Sequence, residues 1–183
     1  MPHIIELEEN KQGDDIIIGD IHGEITTFET VIKTLNSNDR LFIAGDLIDK
    51  GVDSLGVLEK ILSVNETRAK SGLVPQIYSV RGNHEDIFLE YADRLLNPKN
   101  YADNTRASFE EYRLANGGEW VDVIEASNIA VYQKFIETLP YIICVGGKNP
   151  FNIAHADLIF SDEELQNKTA FILRSFISKS IFI

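Results

Sequence analysis

Four short apolar stretches of the chain are each followed by side chains that can bind a metal ion or move a proton. These side chains are carboxylates, imidazoles, one amide and two cations, namely Asp20, His22, Asp46, Asp49, Lys50, Arg81, Asn83, His84 and His155. Mixed carboxylate, amide and imidazole donors suit manganese, iron or zinc, and the residue types do not choose among these metals. The pattern indicates divalent-metal chemistry if the fold brings the four stretches together.

The elements that would position these side chains follow from hydrophobic patterning. The apolar stretches are rich in β-branched residues and bounded by glycine or polar residues, which predicts short buried strands around residues 16–18, 41–43, 77–80 and 151–154. Apolar residues between them fall at helical spacing over residues 25–35, 55–62 and 85–96. Alternating strands and helices predict a largely parallel sheet with covering helices. In such sheets, ligands bind outside the carboxyl ends of the strands.

The spacing within the first two stretches suits a pair of metal ions. Asp20 and His22 lie two residues apart, so in an extended segment both side chains would point to the same side. Asp46 and Asp49 follow the second strand, where a carboxylate can bridge two ions held about 3.5–4 Å apart. A turn aspartate with a chance histidine, and a solvated acidic turn, are the ordinary alternatives, and they are favoured for each segment taken alone.

The third and fourth stretches supply an amide and further imidazoles. Asn83 offers a carbonyl oxygen to a hard metal ion, although an asparagine here could equally cap a helix that starts near Glu85. A lone histidine after a strand, such as His155, is more often a core or turn residue than a ligand. Jointly, the ordinary alternatives would require six metal-competent residues to fall at four successive strand ends by accident.

The order and spacing of these segments also carry a family resemblance. The segments are residues 19–23 (GDIHG), 45–51 (GDLIDKG), 81–85 (RGNHE) and 154–157 (AHAD), with residues 116–120 (NGGEW) as a weaker match. With them, the chain resembles the calcineurin-like metallophosphoesterases, and within these the phosphoprotein phosphatases of bacterial and bacteriophage type, over residues 15–158. The resemblance implies an α/β fold, a four-layer α-β-β-α sandwich. We expect a single domain over residues 1–183, with a helical insertion at about 101–139.

The resemblance further implies a centre with two divalent metal ions, manganese first, with iron or zinc as alternatives. Asp20 and His22 would bind the first ion, and Asp46 would bridge the two. Asn83 and His155 would bind the second ion. A hydroxide held between the ions would attack phosphorus in line, since metal coordination makes this nucleophile accessible near neutral pH.

The same resemblance assigns the acid and the groups that hold phosphate. His84 would be the general acid that protonates the departing alkoxide, with Asp49 orienting its ring. Phosphate would be bound by Asn83 together with the cations of Lys50 and Arg81. The family usually has arginine where this chain has Lys50, and lysine acts on phosphate as a point charge without the planar pair of donors. For Arg81, a structural ion pair with a nearby carboxylate is an equal alternative.

The chain departs from the family again near its C-terminus. Phosphatases of this type have a further histidine ligand, and usually a phosphate-binding arginine, beyond the segment that contains His155. None of the four histidines of this chain lies after His155, and Arg174 is interpreted as a surface or sheet-edge cation. Since residues 171–183 are also mostly apolar, we expect a truncated or diverged C-terminal part and a second metal site short of one ligand.

Composition restricts the remaining function classes. Among 183 residues, 17 Lys and Arg against 29 Asp and Glu give a formal net charge of −12, which disfavours a nucleic-acid scaffold. Cys144 is the one cysteine, so no intrachain disulfide can form, and no arginine-containing phosphate loop follows it as a cysteine phosphatase would require. The sequence has neither a signal peptide nor an apolar stretch of membrane-spanning length, which predicts a cytoplasmic protein without a membrane partner.

Three functional interpretations follow. The first is a metal-dependent phosphomonoesterase, a serine/threonine protein phosphatase whose partner is a phosphorylated protein or a small phosphoester. The second keeps this chemistry but takes diadenosine tetraphosphate or another nucleotide polyphosphate. The third is a phosphatase-like module that binds metal without turnover, because a second-site histidine is missing. The sequence leaves the native metal and the oligomeric state open.

Overall fold

The computed structural model describes residues 3–101 and 106–156. The strands are β1 (Ile4–Leu7), β2 (Asp15–Ile18), β3 (Arg40–Ile43), β4 (Ile77–Ser79), β5 (Ile142–Val145) and β6 (Phe151–Ile153). The α-helices are α1 (Ile25–Thr34), α2 (Ser54–Lys70), α3 (Asn83–Leu96), α4 (Arg106–Ala115) and α5 (Ala126–Glu137), and short 3-10 helices lie at Pro98–Asn100 and Gly118–Val123.

The strands β2, β3 and β4 form a parallel sheet in that order. Ile18 pairs with Ile43, and Ile43 pairs with Ser79, so the three strands end at the same edge of the sheet. The helices α1 and α2 provide the crossover connections that parallel neighbours need. The loops after β2 and β3 and the start of α3 therefore leave the sheet from one edge.

A second sheet has the order β1-β5-β6. β1 pairs with β5 in parallel, and β6 runs antiparallel to β5 with Ile153 opposite Ile143. The expectation of a largely parallel sheet therefore holds for β2, β3 and β4. The strands β5 and β6 form the β-hairpin that the glycine-containing turn at residues 146–150 between two apolar runs predicts. The strand β1 has no counterpart among the predicted elements, because a run of four residues near the terminus carries too little periodicity.

Apolar side chains between the two sheets form one core. Its buried members are Phe42, Val80, Ile143, Val145 and Ile153. On the other face of the parallel sheet, residues from α1, α2, α3 and α5 pack against Leu41 and Ile43. Ile142 and Cys144 belong to a smaller cluster of the second sheet that includes no residue of a described helix. The described layers are thus helix, sheet and sheet, and the α/β sandwich class is confirmed.

The stretch predicted as a helical insertion is largely helical where the structure describes it. It contains α4, the 3-10 helix Gly118–Val123 and α5, and the buried Ile129 and Ile136 of α5 belong to the helical core. The single domain over residues 1–183 stays a prediction, since residues 157–183, including Arg174, lie outside the described part. Among the described helices, none combines the length and apolar content needed to cross a bilayer.

Candidate active site

Backbone hydrogen bonds tie the loop after β2 to the loop after β3. The N–H groups of Ile21 and His22 both donate to the carbonyl oxygen of Asp46, at 3.0 and 2.8 Å. The N–H of Gly23 donates to the carbonyl oxygen of Leu47 at 2.9 Å. Backbone hydrogen bonds alone therefore hold the two loops against each other.

Four residues of these loops have a left-handed backbone, namely His22 (φ 45°), Asp46 (φ 48°), Asp49 (φ 70°) and Lys50 (φ 65°). This conformation is uncommon for residues other than glycine, and it persists where the surrounding structure enforces it, often at functional sites. The expectation that Asp20 and His22 lie on one extended segment is therefore wrong. A turn, instead of strand alternation, brings their side chains together.

A buried carboxylate connects the β3 loop to the start of α3. Oε1 of Glu85 accepts the N–H of Leu47 at 2.8 Å, and Oε2 accepts the N–H groups of Asp46 at 3.0 Å and Gly82 at 2.7 Å. Burial raises the pKa of Glu85 to about 7, against the effect of these hydrogen bonds. This role of Glu85 is not among those predicted from the sequence. A glutamate at the third helical position is the available signal, because its side chain can reach back to the helix N-terminus.

Asp46 lies between two groups of metal-competent donors. Its Oδ2 is 3.6 Å from Nε2 of His22, which is itself 3.6 Å from Oδ2 of Asp20. Its Oδ1 is 3.4 Å from Nε2 of His155, which lies 3.1 Å from Oδ1 of Asn83. The structure thus brings together all five predicted ligands, with one oxygen of Asp46 facing each group. Their roles as ligands stay predictions.

The hydrogen bonds made by the imidazoles of His22 and His155 make this set of donors suitable for binding cations. Nδ1 of His22 lies 3.0 Å from the carbonyl oxygen of Ile48, and Nδ1 of His155 lies 2.8 Å from that of Ala44. Because a carbonyl oxygen can only accept, each Nδ1 carries a proton, so that in the neutral ring Nε2 presents a lone pair. Lone pairs of nitrogen and of carboxylate oxygen that face one another repel unless a cation lies between them. The residues present therefore fit divalent metal ions.

Lys50 brings a positive charge to the same donors. Its Nζ lies 3.1 Å from Nε2 of His22, so the ammonium group donates to that lone pair. The main chain of Lys50 also lies against Gly117, which has φ 81°, and a Cβ added to Gly117 would be 2.5 Å from the Lys50 nitrogen. The absence of a side chain at Gly117 therefore allows the helical region to approach this loop closely.

His84 and Asp49 form a buried pair beside Asp46. Nδ1 of His84 is 2.8 Å from Oδ2 of Asp49, and its Nε2 is 3.8 Å from Oδ2 of Asp46. The hydrogen bond to Asp49 raises the pKa of His84, against the effect of burial. His22, Asp46 and His84 offer ligand atoms within 4.8 Å of one another. The contact with Asp49 favours the protonated form of His84, and a protonated ring donates a proton instead of binding a metal ion.

Asn83 and His84 reach the site from a helix rather than from a loop. The helix α3 begins at Asn83 with Gly82 as its N-cap, so the alternative of Asn83 as the cap is not what the structure has. A Cβ added to Gly82 would lie 2.1 Å from Oδ1 of Asp46. Only a glycine before the helix leaves room for that carboxylate.

The contacts of Arg81 match the structural alternative. Its Nη2 donates to the carbonyl oxygen of Glu137 at 2.7 Å, and its Nη1 donates to the hydroxyl of Tyr141 at 3.1 Å. Nη1 also lies 3.6 Å from Oδ1 of Asp86. The guanidinium is thus engaged by the segment before β5 and by α3, so a phosphate-binding role for Arg81 stays a prediction without support from these contacts.

The environment of Cys144 is unlike that of a nucleophilic thiol. The side chain is buried in the second sheet, and burial raises the pKa of the Cys144 thiol to about 11. Nucleophilic cysteines have a lowered pKa because a cation or a helix N-terminus stabilises the thiolate. This finding agrees with the expectation that a cysteine phosphatase mechanism does not operate here.

Comparison with known proteins places these features in a family. Residues 16–176 match the family model described as calcineurin-like phosphoesterase. Serine/threonine-protein phosphatase 1 of Salmonella typhimurium is 31% identical over 163 residues, which cover 83% of this chain and 62% of that protein. The symmetrical bis(5'-nucleosyl)-tetraphosphatase of Wigglesworthia glossinidia brevipalpis is 39% identical over 80 residues, which cover 42% of this chain and 26% of that protein.

A solved structure supports the same assignment. The crystal structure of a candidate diadenosine tetraphosphatase superposes with a TM-score of 0.56 at 26% identity, covering 86% of this chain and 56% of that one. The chain thus spans less than two thirds of the length of each of these relatives. The family consists of hydrolases that depend on a pair of metal ions. Since the family model matches most of the sequence and the metal-competent residues converge, the chain belongs to the calcineurin-like phosphoesterase family.

Proposed function

We propose that the chain is a metal-dependent phosphomonoesterase that removes phosphate from phosphoserine or phosphothreonine in proteins. The observation that carries the proposal is the buried pair of His84 and Asp49 next to Asp46, with 2.8 Å between Nδ1 and Oδ2. A proton donor beside a cation site is what the hydrolysis of an alkyl phosphate needs. The alkoxide of serine or threonine is a poor leaving group, which must take up a proton as it departs.

Five residues of the chain hold the metal ions in this proposal, with manganese as the first candidate. They are Asp20, His22, Asp46, Asn83 and His155. A pair of bound divalent ions supplies charge stabilisation for the phosphoryl oxygens and activation of a water molecule. The carbonyl oxygens of Ile48 and Ala44 keep the protons of both imidazoles on Nδ1, which leaves both Nε2 atoms available to the ions.

His84 supplies the proton for the departing oxygen. In the protonated ring, the Nδ1 proton is held by Asp49 and the Nε2 proton faces the donor cluster. As an attacking water oxygen forms its bond to phosphorus, the bond between phosphorus and the ester oxygen breaks. The electron pair of that bond leaves with the ester oxygen, and the Nε2 proton moves to it. Asp49 stabilises the charged ring before the transfer.

Lys50 and Asn83 are the groups that we assign to phosphate binding. Both side chains are exposed, and both contact members of the metal-binding cluster, Lys50 at His22 and Asn83 at His155. A lysine supplies charge without the geometric selectivity of a planar guanidinium. The proposal therefore expects moderate affinity for phosphate and does not depend on Arg81.

Of the two relatives matched by sequence, the serine/threonine-protein phosphatase matches a longer part of this chain than the tetraphosphatase, whereas the matched solved structure is that of a candidate diadenosine tetraphosphatase. The likeness to the Salmonella typhimurium phosphatase extends over 83% of this chain, whereas that to the tetraphosphatase extends over 42%. A phosphoanhydride also releases a weakly basic phosphate group, which has less need of a positioned acid. The second candidate, a nucleotide polyphosphate hydrolase, nevertheless remains because the tetraphosphatase is 39% identical within its shorter match.

The test is a substrate panel with the purified chain and manganese. Phosphoserine and phosphothreonine peptides, a phosphotyrosine peptide, para-nitrophenyl phosphate and diadenosine tetraphosphate are compared by phosphate release and by chromatography of nucleotide products. Faster hydrolysis of the phosphoserine or phosphothreonine peptides supports the proposal, and faster cleavage of the dinucleotide overturns it in favour of the second candidate. Calorimetry that finds one bound manganese per chain, with no hydrolysis of any substrate, would instead support a binding module without turnover.

The setting of this activity is proposed together with it. We propose a cytoplasmic enzyme whose partner is a phosphorylated protein or a small phosphoester, without a nucleic-acid scaffold or a membrane partner. The net charge of −12 supports the exclusion of a nucleic-acid scaffold, since it repels a phosphate backbone.

A further inference from the structure

The carboxylate of Asp49 has a separate partner for each of its oxygens. Oδ2 faces Nδ1 of His84 at 2.8 Å, and Oδ1 accepts the indole N–H of Trp120 at 2.6 Å. The backbone N–H of Asp49 in addition donates to the hydroxyl of Ser54 at 2.8 Å. Trp120 is therefore connected to the proposed proton donor, His84, through the carboxylate of Asp49.

The segment that carries Trp120 is anchored at several points. The indole ring stacks on Phe88 with ring centroids 5.6 Å apart and 13° between the planes. The neighbouring Val121 is buried in the helical core, and the carbonyl oxygen of Gly118 accepts a hydrogen bond from the buried Arg113. The indole N–H thus has a defined position relative to α3, the helix that also carries His84.

A carboxylate held by a single hydrogen bond rotates easily about its last side-chain torsion, which has a broad energy profile. A second donor on the other oxygen removes that freedom, because both oxygens must then remain in place at once. For Asp49, the second donor is Trp120. Without it, the carboxylate plane could turn, and the ring of His84 would lose the contact that sets its direction.

We propose that Trp120 is a positioning residue of the phosphoesterase: its indole N–H fixes the carboxylate of Asp49, which in turn keeps Nε2 of His84 directed at the departing oxygen. This inference rests on the proposed function and extends it beyond the residues that contact metal or phosphate. It connects the helical region at residues 118–123 to proton transfer, although that region supplies no ligand.

A positioning role of Trp120 predicts a dependence of the rate on the leaving group that a mere loss of packing would not produce. Proton donation matters greatly when the leaving group is an alkoxide and little when it is para-nitrophenolate, which is stable without a proton. Weakening the position of His84 should therefore slow alkyl phosphates more than para-nitrophenyl phosphate. A variant that is merely less stable would slow all substrates by the same factor.

The experiment compares Trp120→Phe with the unsubstituted chain on para-nitrophenyl phosphate, phenyl phosphate and phosphoserine peptide, all with manganese. Phenylalanine keeps a flat ring next to Phe88 and removes the N–H donor. We expect kcat for the phosphoserine peptide to fall on the order of tenfold, less than the roughly 10²- to 10⁴-fold contribution of the acid itself, with a much smaller fall for para-nitrophenyl phosphate. Equal losses on all three substrates would overturn the inference.

A matched control is Tyr132→Phe. Tyr132 is buried, and its hydroxyl donates to Oε1 of Glu59 at 3.1 Å, so this change also deletes one aromatic hydrogen-bond donor. Because that bond does not contact Asp49 or His84, the dependence on leaving group should stay unchanged. A shift as large as that of Trp120→Phe would show that general destabilisation is the cause.

A double-mutant cycle with His84→Asn tests whether Trp120 acts through His84. If it does, adding Trp120→Phe to His84→Asn should cause no further selective loss on the phosphoserine peptide. If the losses in kcat caused by the two substitutions instead multiply fully in the double variant, Trp120 does not act through His84.

A spectroscopic measurement separates this inference from the proposed function. The chain has one tryptophan, so its indole N–H gives a single signal in a nitrogen-proton correlation spectrum. We expect that proton to resonate downfield and to shift upfield in Asp49→Asn. If the signal behaves in this way but the unsubstituted chain hydrolyses no substrate, the proposed function fails while the hydrogen bond stands. An indole signal that Asp49→Asn leaves unmoved would overturn the inference even in an active enzyme.

Discussion

The carboxylate of Glu85 accepts the backbone N–H of Asp46 at 3.0 Å, and the Glu85 side chain is fully buried. This contact connects the strand edge that carries Asp46 to the helix that carries Asn83 and His84. Because Asp46 has a left-handed backbone, it needs such an external constraint to remain in place. The β3 loop and the start of α3, which carry predicted metal ligands, are therefore positioned by a residue that is not itself a predicted ligand.

Glu85→Gln should lower the free energy of unfolding by about 1–3 kcal/mol. An amide group has only one acceptor atom, so its NH2 group would face at least one of the three backbone N–H donors that the carboxylate now satisfies. Urea denaturation in the presence of EDTA measures the change. The control is Glu66→Gln on the exposed face of α2, which should cost no more than about 0.5 kcal/mol. Equal losses in the two variants would contradict this role of Glu85.

Gly82→Ala should weaken manganese binding by about 10- to 100-fold, as expected when a group that orients a ligand is disturbed. The new Cβ would lie 2.1 Å from Oδ1 of Asp46 and would displace that carboxylate. Isothermal titration calorimetry with manganese measures the affinity. Gly146→Ala is the matched control, since its Cβ would meet only the carbonyl oxygen of Leu7, at an ordinary 3.7 Å. Unchanged affinity in Gly82→Ala would exclude Asp46 as a ligand.

Asp20→Asn should also weaken manganese binding, because it replaces a charged donor next to Nε2 of His22 by a neutral amide. A manganese titration followed by electron paramagnetic resonance counts the ions that bind and their affinity. Asp53→Asn provides the comparison: Asp53 caps α2 by accepting the N–H of Gly56, and asparagine caps a helix equally well. Should both variants bind manganese like the unsubstituted chain, Asp20 is not a ligand.

His84→Asn should lower kcat for a phosphoserine peptide by roughly 10²- to 10⁴-fold. The loss for para-nitrophenyl phosphate should be smaller, since its leaving group needs no proton. Manganese affinity, measured in parallel, should change little, because His84 is not among the five residues proposed to bind the ions. Unchanged turnover of the phosphoserine peptide would remove the assignment of His84 as the acid.

The free energy of unfolding should fall as the pH rises from about 9 to about 11, because of Cys144. The Cys144 thiol has a pKa of about 11 in the folded protein, against its ordinary value of 9.0. As the pH rises, the thiol of the unfolded chain therefore loses its proton first, and this deprotonation stabilises the unfolded chain relative to the folded one. The loss should reach about 1–3 kcal/mol. Urea denaturation at about pH 8.5 and about pH 10.5 measures it, and Cys144→Ala should reduce the slope. The pKa of Tyr132 is also raised, to about 12, and its effect on the free energy of unfolding should be the same with and without Cys144→Ala.

Much of the local structure could be predicted because its information lies in neighbouring residues. The spacing of apolar side chains predicts α1, and β-branched runs bounded by polar residues predict β2, β3 and β4. The helix boundaries were less predictable. The helix α2 continues to Lys70 over mostly exposed residues, which include the i,i+4 ion pair of Glu66 and Lys70. The helix α3 begins at Asn83 instead of Glu85, because Gly82 is its N-cap.

By itself, the sequence determined the inventory of donors, their order along the chain and the family, since residue types and short spacings survive without coordinates. Only the tertiary structure decided that the β5–β6 hairpin pairs with β1 in a second sheet, that Arg81 turns to Glu137 and Tyr141, and that His22 reaches the site through a turn. It also decided that Trp120 meets Asp49 across 71 residues. The physical reason is that these contacts depend on how whole layers pack against each other. Layers pack through the hydrophobic effect, which is non-directional, so short sequence patterns do not specify which distant polar groups come within hydrogen-bond distance.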